Sequence, residues 1–241
     1  MAAAGESRGG QPRVFIDIDI NGHRAAYALA CEWVGKTSLK YGLSSPVLAD
    51  LGGSERARLP ELFAADYAFS SRGRLELAPA PHERLTLALH AAAAPTCAEN
   101  FLRLCDGARG KAKGSGLPLH YRGSPLHRLV AGKFVQGGDF SHGNGAGGES
   151  IWGGVFKDDA AALRLKIDRR GLLCMSNTGK NTNGSQFFIT LGPLPALSGK
   201  HCVVGEVVAG LEVLDASERV PVQDEKPSMP IVVAACGLLP P

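Results

Sequence analysis

Gly143, Gly145 and Gly148 satisfy the G-x-G-x-x-G spacing of a dinucleotide-binding loop, inside the run FVQGGDFSHGNGAGGES from Phe134 to Ser150. The chemistry such spacing serves is phosphate binding. Glycines let the backbone close on the anion, which then sits on the unpaired N–H groups of a following helix. Here the next residues, SIWGGVF, carry two more glycines and two aromatics and make a poor helix start. Neither a Walker lysine nor a strand–helix–strand setting accompanies the spacing, so nucleotide binding is set aside and the run needs another explanation. Six cysteines (Cys31, Cys97, Cys105, Cys174, Cys202 and Cys236) raise metal or redox chemistry, but they include no C-x-x-C pair and no histidine at zinc-finger spacing. They read as small, reduced hydrophobes in core positions.

The surrounding chain bounds what these residues could do. With 44% hydrophobic and 20% charged residues, the 241-residue sequence belongs with folded globular proteins. A net charge of +3, spread without any block of like charges, gives no footprint for nucleic acid or a membrane surface. No run approaches the roughly 18 apolar residues of a membrane span, and MAAAGESRGG reaches Glu6 before an apolar leader could develop, so a cytoplasmic protein is expected.

Along the chain, Val14 to Ile20 (VFIDIDI) alternates apolar and acidic residues and predicts a strand with one wet face. From Asn21 to about Arg72, the spacing in RAAYALACEWV and LPELFAADYAF predicts short helices broken by Gly42, Pro46 and Gly52-Gly53, an insert or small appendage. RLELAPAPHERLTLALH, from Arg74, alternates on both sides of a proline-rich bend and predicts a hairpin. Pro95 to Cys105 predicts an amphipathic helix, with Thr96 three residues before Glu99 as a capping box. Beyond it, short apolar runs alternate with Gly, Pro and Asn loops at strand spacing, a mainly β barrel or sandwich pattern.

Six segments in order, HRLVAGKFVQGGDF, GNGAGGESIWG, GLLCMSN, NTNGSQFFIT, LSGKHCVVGEVVAG and IVVAACG, resemble the cyclophilin family of peptidyl-prolyl cis-trans isomerases, over about Arg74 to Leu239. The resemblance implies a mainly β fold: a closed eight-stranded antiparallel barrel capped by two helices, Pro95 to Cys105 and one near Leu211 to Arg219. Residues 74–241 would form the barrel domain, and residues 1–73 an N-terminal extension or insert. VPVQDEKP (Val220 to Pro227) and KAKGSGLPLHYRGS look most like the divergent branch called peptidylprolyl isomerase-like 6, whose members also carry sequence ahead of the barrel and are associated with motile cilia. VFIDIDINGH also resembles the family's first strand. Either it is that strand, followed by a large insert, or the stretch from Arg74 to His90 is the complete first hairpin; the second is favoured because a short loop costs less closure entropy.

The reaction implied makes and breaks no covalent bond. It crosses the roughly 18–20 kcal/mol resonance barrier of an X-Pro amide, so the catalyst need only favour the twisted state over both planar ones. By the resemblance, Arg128 would donate to the proline nitrogen as that atom recovers its lone pair, a task for a fixed guanidinium fork. Gln136 would hydrogen-bond the substrate carbonyl, and Asn177 the backbone of the residue before proline. This is preorganised electrostatics without acid–base chemistry. Phe134, Phe188, Leu197 and His201 would wall the proline pocket, with Ser176, Asn177, Gly147 and Gln186 along the adjoining groove. Alternation in SQFFIT puts Phe187 and Phe188 on opposite faces, so one must leave the core. No cofactor and no metal is implied.

Two substrate-site positions depart from the family pattern. Lys133 stands where active members usually have Phe, and Ala196 where many have the Trp that contacts cyclosporin. The first is expected to weaken apolar contact, since burying a side chain of Phe size contributes roughly 1.5–3 kcal/mol. Two functions therefore stand side by side. One is an isomerase acting on proline-containing peptide or protein clients, with reduced activity. The other is a scaffold subunit held in a larger assembly, such as an axonemal complex, through its N-terminal part.

Overall fold

The alternation in RVFIDIDI produces strand β1, Arg13–Ile20, which buries Val14, Ile16 and Ile18; the other face is not the wet one expected, since Phe15 and Asp19 are half-buried and Asp17 is buried, accepting the Nε–H of Arg84 at 2.7 Å. The structure, a computed structural model, describes residues 11–80 and 83–240. Three helices follow: α1, His23–Tyr41, α2, Gly53–Ala65, and α3, Tyr67–Ser70. Helix α1 ends at Gly42, whose φ of 61° is a left-handed conformation that glycine adopts without a side-chain clash. The next strand is β2, Arg84–Leu89. The chain divides into two units, Asn21–Pro81 and Met1–Ile20 with His82–Pro241.

Among the described residues, the expected hairpin from Arg74 to His90 does not form. β1 is the partner of β2, with Val14 opposite Leu87 and Ile16 opposite Leu85. It is therefore the first barrel strand, and the helical segment is inserted between the first two strands instead of preceding the barrel; the division expected at residues 73 and 74 falls elsewhere. Apolar burial outweighs the closure entropy that favours the shorter connection. Loop closure costs only about 0.6 kcal/mol per doubling of length, so the longer connection adds roughly 2 kcal/mol. Burying each large apolar side chain of β1 contributes about 1.5–3 kcal/mol. Leu75 and Leu77 of the expected first arm pack instead on the helical unit's own core of Ala30, Trp33, Val34, Leu48, Leu59 and Phe63.

Within that unit, the Trp33 ring meets Phe63 edge-on at 5.2 Å. Asp66 accepts hydrogen bonds from Tyr41 Oη at 2.8 Å, Lys40 Nζ at 3.2 Å and Trp33 Nε1 at 3.4 Å. Because the unit leaves the barrel after β1 and returns at β2, a tight turn can bridge the gap. Replacing residues 21–82 by Asn-Gly is expected to leave one cooperative thermal transition in circular dichroism. A broad, non-cooperative melt would show that the barrel depends on the insert.

The barrel continues with α4, Pro95–Asp106, β3, Arg128–Val130, β4, Phe134–Gly137, α5, Ala160–Leu163, β5, Leu172–Met175, and β6, Phe187–Thr190. It ends with β7, Val203–Ala209, α6, Leu211–Glu218, β8, Val222–Gln223, β9, Lys226–Pro227, and β10, Ile231–Leu239. Eight strands form one antiparallel sheet in the order β10-β1-β2-β7-β5-β6-β4-β3, and β8 pairs with β9. The edges meet where Gly123 N–H donates to Val233 O, Val233 N–H to Ser124 O and Leu126 N–H to Ile231 O, so the sheet curls round on itself.

Phe101, Tyr121 and Phe187 fill the interior with ring centroids 5.1–5.2 Å apart, and Tyr121 Oη donates to Ser185 O at 2.7 Å. The capping box expected at Thr96 and Glu99 is absent, since no side chain caps α4 from its own N-terminus. Asp159, from another part of the barrel, accepts the Cys97 N–H at 2.8 Å and does that work. All six cysteines are free, four of them buried.

Candidate functional site

Strand register assembles one face of the site. Arg128 on β3 lies opposite Gln136 on β4, and Gln136 lies opposite Phe188 on β6. The pleat sends Leu129, Val135, Phe187 and Ile189 into the main core and leaves Arg128, Phe134, Gln136 and Phe188 on the other face. Phe188 is nonetheless only 4% exposed, because it belongs to a smaller apolar cluster with Phe134 and Leu197. Its ring stands 5.5 Å from that of Phe134 and meets His201 edge-on at 5.2 Å.

These groups line a groove of about 630 Å³ that also includes Gly147, Ser176, Asn177 and Gln186. Ten of the twelve expected site residues thus come together. Lys133 and Ala196 are not among the residues lining it. Lys133 sits exposed in the turn between β3 and β4, where its N–H donates to Val130 O and its carbonyl accepts from Leu191 N–H. Phe134, one place later, holds the position against Phe188, because pleating turns alternate residues to alternate faces. Ala196 is exposed in a short 3₁₀ turn, Pro195–Leu197.

Arg128 lies over the face of Phe134, 5.1 Å from the ring centroid. Its Nε donates to Glu225 Oε2 at 2.7 Å, across a separation of 97 residues. The Gln136 amide nitrogen donates to Gln186 Oε1 at 3.0 Å and Ser176 Oγ at 3.2 Å, and Gln186 Nε2 donates to the carbonyls of Gly145 and Gly147, each at 2.8 Å. Gln136 is thereby preset, and it can donate to a substrate carbonyl by exchanging its longer bond to Ser176. Asn177 Nδ2 donates to Lys200 O at 3.0 Å.

Burial pushes the His201 imidazole below its ordinary value, with the hydrogen bond to the Met175 carbonyl at 3.0 Å opposing the shift. The ring is therefore neutral, donating from Nδ1, with its body against Phe188. It suits a pocket wall.

The glycine-rich loop has a different use from the one its spacing suggests. Asp139, fully buried, accepts the backbone N–H groups of Ser141, His142, Asn144, Gly145 and Gly147 at 2.9–3.2 Å. Burial alone would raise its pKa, but these hydrogen bonds outweigh burial and hold the carboxyl well below the usual carboxylate range. The concavity of N–H groups is filled by the chain's own anion. At Gly147 a Cβ would run into His142 and Ser141, so the loop can close this tightly only with glycine there. Sequence reading missed both Asp139 and Glu225. The available signal for Asp139 was an acidic residue directly ahead of a run of small residues whose N–H groups need an acceptor; for Glu225 there was none.

A curled eight-stranded antiparallel barrel carrying an arginine, two glutamines and an apolar pocket on one outer face defines a class. The sequence model of the family described as "Cyclophilin type peptidyl-prolyl cis-trans isomerase/CLD" matches residues 75–238, and the chain belongs to that family. A curated relative, the peptidyl-prolyl cis-trans isomerase cyp11 of Rhizopus delemar, is 48% identical over 157 residues, which cover 65% of this chain and 46% of that protein. The chain thus spans about half the length of this relative. The matched residues begin after β1, which the helical insert separates from the rest of its own barrel.

Proposed function

We propose that this protein catalyses cis–trans isomerisation of X-Pro bonds in peptide and protein clients. The observation that carries the reading is the placement of Arg128 and Gln136 beside the pocket walled by Phe134, Phe188, Leu197 and His201. A proline ring fills the pocket, Gln136 and Asn177 hold the flanking backbone, and Arg128 donates to the nitrogen as amide conjugation is lost. Wild-type protein should accelerate isomerisation of a proline tetrapeptide in a protease-coupled assay; a rate equal to the uncatalysed one would end the reading.

Lys133 is exposed in the β3–β4 turn and is not among the residues lining the groove, where Phe134 supplies an aromatic wall, so any attenuation from it is expected to be small. Lys133→Phe is expected to change kcat/KM by less than about threefold, well under the 1.4 kcal/mol that a tenfold change represents. Because His201 is neutral in the folded protein, kcat/KM is expected to stay flat above about pH 6.5, the ordinary histidine value, and to fall only on the acid side as charge appears beside the pocket. A rate that rises through neutrality with a histidine-like midpoint would assign His201 a proton-transfer role. With Ala196 offering neither a ring face nor an N–H, cyclosporin is expected to bind more weakly than about 1 μM by calorimetry; a nanomolar dissociation constant would refute this.

A second reading, that the chain also serves as a subunit of a larger assembly, is favoured by the inserted helical unit with its own apolar core, which catalysis does not require. Together with the segment VPVQDEKP, this insert fits the peptidylprolyl isomerase-like 6 branch, with a cytoplasmic or axonemal setting. Full-length protein should then migrate in native extract as part of a high-mass complex, and the Asn-Gly replacement described above as a monomer. Identical migration would remove this reading.

A further inference from the structure

We propose that Glu225 is a positioning residue for Arg128, a role that rests on the isomerase reading above. Three observations place it. Its carboxylate accepts the Arg128 Nε–H at 2.7 Å, its main-chain carbonyl accepts the N–H of Leu129 at 2.7 Å, and Asp224 and Glu225 both hold positive φ, 50° and 62°. The two residues form the centre of the turn between β8 and β9, where Gln223 faces Lys226. Such two-residue turns strongly favour Gly or Asn, since other side chains crowd the following carbonyl in the left-handed region. A glutamate kept there therefore marks a position where the side chain is used. Its main-chain bond to β3 fixes the turn against the strand that carries Arg128, and the carboxylate reaches the guanidinium from that anchored base.

The geometry sets the arginine's orientation. Glu225 occupies Nε, and the ring of Phe134 lies 5.1 Å from the guanidinium carbon. The contact at Nε and the ring beneath its plane hold the fork in one orientation, and leave the Nη1 and Nη2 hydrogens free to face the groove. A long, unrestrained arginine would lose rotamer freedom on meeting the twisted amide; one already fixed loses less. The pair is about half exposed, at 44% for Arg128 and 48% for Glu225, and exposed ion pairs contribute little to stability. The effect of Glu225 is thus expected in turnover, with folding unaffected.

The experiment compares wild type, Glu225→Gly and Glu225→Gln by steady-state isomerase kinetics, thermal melts and ¹⁵N NMR of the arginine Nε–H groups. Glycine removes the carboxylate while keeping the turn's backbone at ease. It is expected to lower kcat about fivefold or more with KM and the melting midpoint unchanged, and to lose the protected Arg128 Nε–H signal. Glutamine, which keeps an acceptor oxygen at the same place, is expected to restore kcat to within about twofold and to recover the signal. Wild-type kcat in Glu225→Gly, or an Nε–H signal indifferent to it, overturns the positioning role while leaving the isomerase reading intact. Inert wild-type protein overturns both.

Discussion

Arg128→Ala is expected to lower kcat/KM on a proline tetrapeptide by at least about 100-fold while leaving the melting midpoint almost unchanged. The size follows from the reaction. No bond to the enzyme forms, so rate is gained only through contacts stronger in the twisted amide than in either planar isomer. A fixed donor aimed at charge that develops in the transition state is worth about 2.7–4 kcal/mol, or 10²–10³ in rate. Arg128 is the cation lining the groove, with Phe134 beneath it and Glu225 beside it. Its contribution to stability is small because the ion pair is open to water. Arg128→Lys should rescue poorly, since an ammonium has neither the planar fork nor an Nε–H for Glu225. An alanine variant retaining activity within about fivefold of wild type would move catalysis elsewhere in the groove.

The second large effect is expected from Asp139→Asn. Five backbone N–H groups converge on that buried carboxylate. The amide offers one oxygen in place of two and turns an NH₂ toward donors that need an acceptor. Leaving buried donors unsatisfied costs about 1–3 kcal/mol each, so a loss of at least about 3 kcal/mol is expected. In a chain of this size that lowers the melting midpoint by roughly 6–12 °C. Isomerase activity should fall as well, because Gln186 is held by the carbonyls of Gly145 and Gly147 in the same loop and in turn holds Gln136. The folded pKa of Asp139 is depressed, so its contribution to stability is fully present above the unfolded value of about 3.9 and disappears as pH falls below it. Urea midpoints measured from pH 7 down to pH 3 should therefore decline more steeply for wild type than for Asp139→Asn. Parallel curves would show that the carboxylate is not the source.

What the sequence disclosed, and what it did not, follows the range of the interactions. Strand alternation carried the separation of Phe187 from Phe188, because a two-residue period needs no tertiary information. The apolar spacing of Pro95 to Cys105 marked α4 for the same reason, and the ordered motifs carried the barrel and ten of the groove residues. The choice between β1 and the Arg74 arm as partner of β2 was not local. Both alternate equally well, and the deciding quantity was the apolar surface that β1 buries between β2 and β10. Thr96 and Glu99 had the spacing of a cap, yet the acceptor at that helix start is Asp159, 62 residues from the N–H it receives. Lys133 lies in the turn ahead of β4, so the side chain that meets Phe188 is that of the next residue, Phe134. Glu225 could not be read at all, as its meaning depends on a turn 97 residues from Arg128.

The pairing of β1 with β10 also bears on how the chain is made. The helical insert draws its core from residues between Ala30 and Phe63, all close together in sequence, so it can form as soon as they leave the ribosome. The first barrel strand has no such opportunity. One of its two neighbours, β10, lies at Ile231–Leu239, so β1 must wait while some further 150 residues are synthesised, on the order of ten seconds at ordinary translation rates. During that interval a strand bearing Val14, Ile16 and Ile18 lacks one of its two partners. The pairing of the earliest strand is therefore completed only when the last one has been made.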